Sequence, residues 1–429
     1  MDAQLRSRLL WLFGLVFVFK IGSHIPTPGV DGQALAEFFN QKSQGTVFGL
    51  LNLFSGGALA QLSIFGLGIS PYISSSIIMQ LATIMFPSVE RMQKEGEHGR
   101  RQITQYTRYL TVGIALVQGF IISSQIEGQT SPSGIPIVVE GGLAFRLLAM
   151  VLLTSGSVFV MWLGEQITER GIGNGSSIII FTGIASSLFS GISSLKYSLQ
   201  NDQMTIAGLV FLAVIMVAVV ASIVFMEQGF RKVPIQYTKR MIGKKMYMGQ
   251  DSHLPLKINS AGVIPPIFAN TLILFPATAL SFISAKWATE ATQLLTPSGY
   301  LFNILYVLGI VFFAFFYTAI TSNPADLADN LRKFGGYVPG IRPGKATADY
   351  LDDIIAKLTF SGAIYLSAVC ILPSILIATF KVNFYFGGTT LMILVGVALD
   401  TMSQIQAHLL NQNYEGFLKS AKLRGRTAS

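Results

Sequence analysis

Gly68-Ile-Ser-Pro71-Tyr-Ile73 and Gly262-Val-Ile-Pro265-Pro-Ile267 place the same punctuation at the head of two apolar stretches. Glycine frees the backbone there, and proline fixes φ and removes a main-chain donor. Counted along the chain, these stretches are the second and seventh of ten apolar runs, so they hold equivalent places in two sets of five. A matched pair of Gly/Pro-interrupted spans points to the working site of an internally repeated membrane protein.

Composition explains why these runs belong in lipid. Of 429 residues, 51% are hydrophobic and 12% charged, against roughly 25% charge in soluble chains. The mean hydropathy is +0.56. Runs of about 20 apolar residues cover a bilayer core of roughly 30 Å, and a span must satisfy its own backbone, so the runs are read as helices. They fall near 9–25, 68–86, 109–126, 143–164, 175–194, 206–226, 260–282, 299–321, 358–378 and 388–408. The first is read as a retained span rather than a cleaved signal, because Lys20 interrupts it and Pro26 and Pro28 follow. Two five-span units result, 1–205 and 206–408, with a tail at 409–429.

Charge orients them. The N-terminus, the connections 87–108, 165–174, 227–259 and 322–357, and the tail together hold 24 of the 30 lysines and arginines. Positive charge is retained in the cytoplasm, so both termini are expected there. With an odd number of spans per half, the second half must be inverted relative to the first.

Three connections are longer than turns require. The first carries Phe54-Ser-Gly-Gly-Ala-Leu-Ala-Gln-Leu-Ser-Ile-Phe65, too short to span. It reads either as a short helix resting on the outer membrane surface or as a mobile element packed inside the protein. Connection 227–259 carries Arg231, Lys232, Lys239, Arg240, Lys244 and Lys245. Connection 322–357 presents Arg342 between turn residues, with Lys345 beside it. Ordinary topogenic charge explains the sign of these loops but not their length, so docking surfaces are the favoured reading.

Several chemistries are excluded or weakened. Gly171-Ile-Gly-Asn-Gly175 follows no strand, so it is no dinucleotide turn. Gly340-Ile-Arg-Pro-Gly344-Lys345-Ala346 falls one residue short of a phosphate loop and lacks its hydroxyl, so energy for transport must come from elsewhere. One cysteine, Cys370, and four scattered histidines offer no disulfide or metal set. No catalytic constellation lies at membrane depth, so no enzyme, cofactor or metal is expected. Arg146 is expected to snorkel outward. Asp400 is the one serious candidate for ion coupling, with pairing to a neighbour the favoured role. An ion-coupled small-solute transporter built on an inverted repeat therefore stays open as the alternative to a passive channel.

Seven strings then identify a family: Phe54-Ser-Gly-Gly-Ala58, Gly68-Ile-Ser-Pro-Tyr-Ile-Ser74, Lys94-Glu-Gly-Glu-His-Gly-Arg-Arg101, the Trp162–Gly175 segment, His253-Leu-Pro-Leu-Lys257, Gly340-Ile-Arg-Pro-Gly344 and Phe384-Tyr-Phe-Gly-Gly-Thr389. They resemble the bacterial SecY family, central subunits of the protein-translocation channel, in order from the first span to the tail. The resemblance implies an all-α fold of two inverted five-helix halves around an hourglass pore.

Matched position by position, the resemblance implies a pore ring of Ile69, Ile73, Ser176, Ile180, Ile267 and Ile393. Ser176 departs from the family's aliphatic residue, and a leakier ring is expected from its hydroxyl. A narrow aliphatic constriction dewets and blocks hydrated ions; the same isoleucines, read without the family, could simply pack the bundle. The resemblance assigns Phe54, Ser55, Gly56, Gly57, Ala58, Leu59, Ala60, Leu62, Ile64 and Phe65 to a plug, a short helix filling the external funnel. It places a lateral gate between spans 2 and 3 and spans 7 and 8, where signal sequences reach lipid. Gln80, Asn270 and Thr271 are expected to hydrogen-bond across that gate. It implies SecE and SecG as membrane partners, and the SecA ATPase or a translating ribosome on the basic loops. The substrates would be signal sequences and unfolded secretory polypeptides, and the location the bacterial inner membrane.

Overall fold

The repeated Gly/Pro punctuation builds the same local geometry twice. Gly68 has φ +56° and Gly262 φ +61°, both in the left-handed region that favours glycine. Helix α3 (Ser70–Met85) starts two residues after the first, with Pro71 in its opening turn. Helix α9 (Ile264–Leu280) starts two residues after the second, with Pro265 and Pro266 in its opening turn. Proline is tolerated there because the first-turn N–H groups have no intrahelical acceptor to lose.

A computed structural model describes residues 3–42, 52, 55–131, 133–200, 206–237, 240–242, 245–247, 252–280, 287, 291, 294–295, 299–380 and 388–426. Helices overlap all ten expected stretches. They are α1 (Ala3–Gly22), α3, α5 (Glu97–Glu127), α6 (Leu143–Arg170), α7 (Gly175–Gln200), α8 (Ile206–Glu227), α9, α10 (Tyr300–Thr321), α12 (Lys345–Phe380) and α13 (Gly388–Arg426). Shorter helices are α2 (Gly32–Lys42), α4 (Pro87–Lys94) and α11 (Pro324–Lys333). Among the described residues, six helical stretches are long and apolar enough to cross a membrane by themselves, and the bent α3–α4 pair would make a seventh. Helix α1 is long enough but carries Arg6, Arg8 and Lys20, and the described apolar parts of α7 and α9 are shorter.

Helix α3 turns into α4 through 100°. The turn is at Phe86, extended at φ −115°, ψ 112° because Pro87 follows it. Arg146, expected to snorkel outward, pairs its Nε with Glu127 Oε2, while Glu127 Oε1 accepts from the Gly142 amide at 2.8 Å.

Sequential helices pack as neighbours: α5 on α3 and α6, α6 on α1 and α7, α10 on α9 and α12, and α13 on α8 and α12. Before and after residue 205 the chain meets itself mainly through two pairs, α3 with α9 and α7 with α13. One apolar cluster runs through that junction; a second lies among α2, the 59–67 segment, α5 and α6.

The expected all-α fold needs a correction outside the spans. β1 (Phe230–Tyr237) pairs antiparallel with β4 (Ser252–Lys257) on one side and with β5 (Gly336–Tyr337) on the other. β2 (Arg240–Ile242) and β3 (Lys245–Tyr247) form a separate hairpin. The two long basic connections are thus parts of one three-stranded sheet, in register Val233↔Leu254 and Tyr237↔Gly336. Val233 and Ile235 turn inward and are buried, while Arg231 and Lys232 stay exposed. That is the two-residue alternation of a strand with one covered face.

Candidate functional site

Helices α3, α7, α9 and α13 bring the five isoleucines of the expected ring into a single apolar cluster. Ile69, Ile180, Ile267 and Ile393 are all buried in it, and Ile73 packs against it half-buried. Ile69 caps the N-terminus of α3, and Ile73 follows one turn later on the same face. Ile267 sits one turn into α9. Ile393 sits between the buried Met392 and half-buried Leu394 of α13.

Ser176 stands apart from this group in its chemistry. It lies in the first turn of α7, where Asn174 Oδ1 accepts from the amides of Ser176 and Ser177. The Ser176 hydroxyl donates to that same oxygen at 2.6 Å. Its hydrogen is therefore committed to the helix cap, which weakens the expected wet defect in the ring.

The plug stretch departs from its expected form. Phe54 lies outside the described residues. From Ser55 onward the chain makes turns and one 3₁₀ turn, Leu59–Gln61, not an α-helix. Gly56 at φ +70°, Gly57 at +86° and Leu62 at +37° all leave the right-handed region, so a helix cannot propagate. The surface-resting alternative is also excluded. Ser55, Ala58, Leu59, Leu62 and Phe65 are buried, with Ala60 and Ile64 partly so.

Close approaches hold this segment in place, and none was visible in the sequence. A Cβ on Gly56 would fall 2.6 Å from the Gly183 Cα of α7, so the two backbones touch. A Cβ on Gly156 of α6 would fall 1.9 Å from the Ile64 carbonyl oxygen. Phe65 stacks on Phe19 and on Phe159, at centroid distances of 6.1 and 5.8 Å. The exit of the segment is tied to the end of α1. Thr27 donates its amide and hydroxyl to the Leu62 carbonyl at 2.9 and 2.6 Å, and the Ile64 amide donates to Ile25 at 3.0 Å. Ser157 donates to the Gly68 carbonyl at 3.1 Å, fixing the turn that leads into α3.

The expected cross-gate bonds need a correction. Helices α3 and α9 do pack on each other. Yet Gln80 Nε2 donates to Ser76 Oγ one turn back on α3, at 3.4 Å. Thr271 Oγ1 donates to the Ile267 carbonyl on its own helix, at 2.8 Å. A helical threonine reaches the i−4 carbonyl without leaving its helix. Asn270 is buried at 4% exposure.

Among the proposed docking residues, Arg231, Lys232, Arg342 and Lys345 are exposed. The turn that carries Arg342 is set by glycines: Gly340 at φ +80° and Gly344 at +111° bracket Arg342, whose carbonyl accepts from the Thr347 hydroxyl at 2.9 Å. Arg240 and Lys245 lie on β2 and β3. Lys239 and Lys244 lie outside the described residues. Asp400 is exposed, and among the described residues it makes no ion pair, contrary to the pairing expected of it. Among those residues no group of His, Cys, Asp and Glu could hold a metal ion.

On the cytoplasmic side of the expected topology, Arg108 on α5 grips Glu165 on α6 with two bonds of 2.8 Å. Arg170 lies over the Trp11 ring at 5.0 Å. These contacts tie α1, α5 and α6 together near one end.

Comparison with known proteins agrees with this architecture. The SecY family model matches residues 63–402. The protein translocase subunit SecY of Escherichia coli K12 is 46% identical over 426 residues, covering 98% of this chain and 96% of that protein. Among solved structures, a SecY whose plug domain is described as stabilising the closed channel superposes with TM-score 0.67. It is 19% identical and covers 95% of this chain and 93% of that one. Sec61 in a canine ribosome–channel complex superposes with TM-score 0.63 at 16% identity, over 95% of this chain and 93% of that one.

Proposed function

The chain belongs to the SecY family of protein-translocase channel subunits, and from that premise we propose that it forms the polypeptide-conducting pore. It is a multi-pass membrane protein, read here as ten spans in two inverted halves, 1–205 and 206–408, in the bacterial inner membrane with both termini cytoplasmic. Its substrates are signal sequences and unfolded secretory chains.

The observation that carries this reading is the convergence of Ile69, Ile73, Ile180, Ile267 and Ile393 on one apolar cluster where the two halves meet. Branched aliphatic side chains offer no fixed partner, so a threaded polypeptide of any sequence slides past them. The same constriction dewets and stops hydrated ions. Ser55 to Phe65, buried against α6 and α7, closes the passage at rest. Helices α3 and α9 part to release apolar segments to lipid.

The pore supplies no energy, so it needs partners. The sheet that joins the two basic connections, with Arg231, Lys232 and Arg342 exposed, is the docking face for SecA or for a ribosome, whose RNA phosphates suit arginine and lysine. The structural likeness to a ribosome-bound Sec61 channel supports that choice. SecE and SecG complete the membrane assembly.

The test is reconstitution. Proteoliposomes holding this chain with SecE, SecG and SecA should import an unfolded secretory precursor when ATP is supplied. Import of a small solute driven by an ion gradient, with no import of precursor, would favour the transporter reading and reject the channel.

A further inference from the structure

The end of α1 farthest from the N-terminus carries a groove that neither the pore nor the docking face uses. Its volume is about 470 Å³, and Phe17, Lys20, Ile21, His24 and Ile25 line it. Lys20 is half-buried in a helix that is otherwise apolar from Leu9 to Gly22. Its ammonium donates to Ser186 Oγ of α7 at 2.5 Å, which uses one of three N–H donors. His24 Nδ1 lies 2.9 Å from the Lys20 carbonyl, and both side chains line the groove. Among the described residues no carboxylate forms an ion pair with Lys20.

A stripe of exposed apolar side chains leads from this groove toward the other end of the helix. Leu10, Phe13, Phe17 and Ile21 are 63, 67, 66 and 51% exposed. Their spacing of three and four residues puts them on one face. The eleven steps from Leu10 to Ile21, at 1.5 Å rise each, make a stripe of about 16 Å, half of a hydrocarbon core of roughly 30 Å. The stripe is as long as one leaflet's acyl chain, and the cation sits at its head.

We propose that this groove seats one phospholipid, with its phosphate on the Lys20 ammonium and an acyl chain along Leu10, Phe13, Phe17 and Ile21. Charge chooses this occupant over a purely apolar partner helix. Such a helix would seal in an apolar joint an ammonium whose one partner among the described residues is Ser186, at a cost that a phosphate removes. Charge also sets a preference. A phosphatidylglycerol headgroup brings a net negative charge, whereas a choline headgroup carries its own cation against Lys20. The site depends on the chain lying in a membrane but not on what the pore conducts.

Native mass spectrometry of the assembled complex, titrated with phosphatidylglycerol or phosphatidylcholine, tests this. The complex should hold one phosphatidylglycerol preferentially. Lys20→Met should weaken that binding about tenfold, as loss of a charge-assisted bond does, and abolish the preference; Lys20→Arg should keep it. Phe17→Ser should weaken binding with the charge intact, which keeps the idea testable should Lys20→Met fail to insert. Glycerol 3-phosphate in excess should not displace the lipid; displacement would show a bare anion site and overturn the acyl half of the proposal. Unchanged lipid binding in Lys20→Met would overturn it, as would disulfide crosslinking of a cysteine at Ile21 to a helix of a partner subunit.

Discussion

The ring of Phe65 fills the space that a methyl group on Gly22 would need: a Cβ there would lie 2.0 Å from Phe65 Cε2. Phe65 cannot simply rotate away, because Phe19 and Phe159 stack on it. Gly22→Ala should therefore push Phe65 out of its slot and loosen the 55–65 segment, at about 1–3 kcal/mol of overpacking. The expected readout is a rise in ion conductance of the resting channel in planar bilayers. Conductance equal to the parent would show that Phe65 does not help seal it.

Unlike Gln80 and Thr271, Asn270 makes no hydrogen bond along its own helix among the described residues, and it is buried. Asn270→Leu should change signal-sequence selectivity by about threefold, the size of one interhelical hydrogen bond of about 0.6 kcal/mol. Thr271→Val and Gln80→Leu should leave it nearly unchanged, because Thr271 bonds to Ile267 and Gln80 to Ser76 on their own helices. Export assays with graded signal-sequence hydrophobicity separate the three variants.

Arg342 is exposed on a turn that Gly340 and Gly344 shape. Reversing its charge removes a docking contact without touching the core. Arg342→Glu should cut SecA-driven translocation by about tenfold or more, while membrane insertion and thermal stability stay at parental levels. Normal transport by a stably inserted variant would remove Arg342 from the docking face.

Outside the membrane, Glu37 on α2 accepts from the hydroxyls of Ser131 and Ser133. Those two bonds hold its carboxyl below the usual carboxylate range. Its folded value thus lies under the unfolded one, so its contribution is fully present above ordinary carboxylate pKa values and lost as pH falls through the lowered one. Hydrogen exchange in residues 32–42 should speed up only at a pH below that of an ordinary glutamate. Glu37→Gln should remove this pH dependence.

The spans and the two helix entries were legible in the sequence because lipid solvation demands long apolar runs and because Gly68 and Gly262 need left-handed backbone. The sheet was not. In Phe230–Tyr237 the inward pair Val233 and Ile235 is brief and surrounded by cations, so net charge hid the alternation; β5 is two residues long and has no period to read. The largely apolar twelve-residue stretch ending at Phe65 suggested a helix, but Gly56 and Gly57 adopt positive φ and turn the chain. The Gly56–Gly183 contact and the placing of Phe65 beside Gly22 join positions far apart in sequence, which no local pattern encodes. The gate bonds were misjudged for a related reason: side-chain rotamers, not residue type, decide whether Thr271 reaches across or back.

Cysteines placed singly at Ile73, Ile180, Ile267 and Ile393, with a control at the exposed Phe120 of α5, test the central claim most directly. A secretory chain arrested in transit and carrying a thiol-reactive probe should crosslink to all four and not to the control. Absence of crosslinks at the four isoleucines, with the precursor fully inserted, would contradict a polypeptide path through this aliphatic waist.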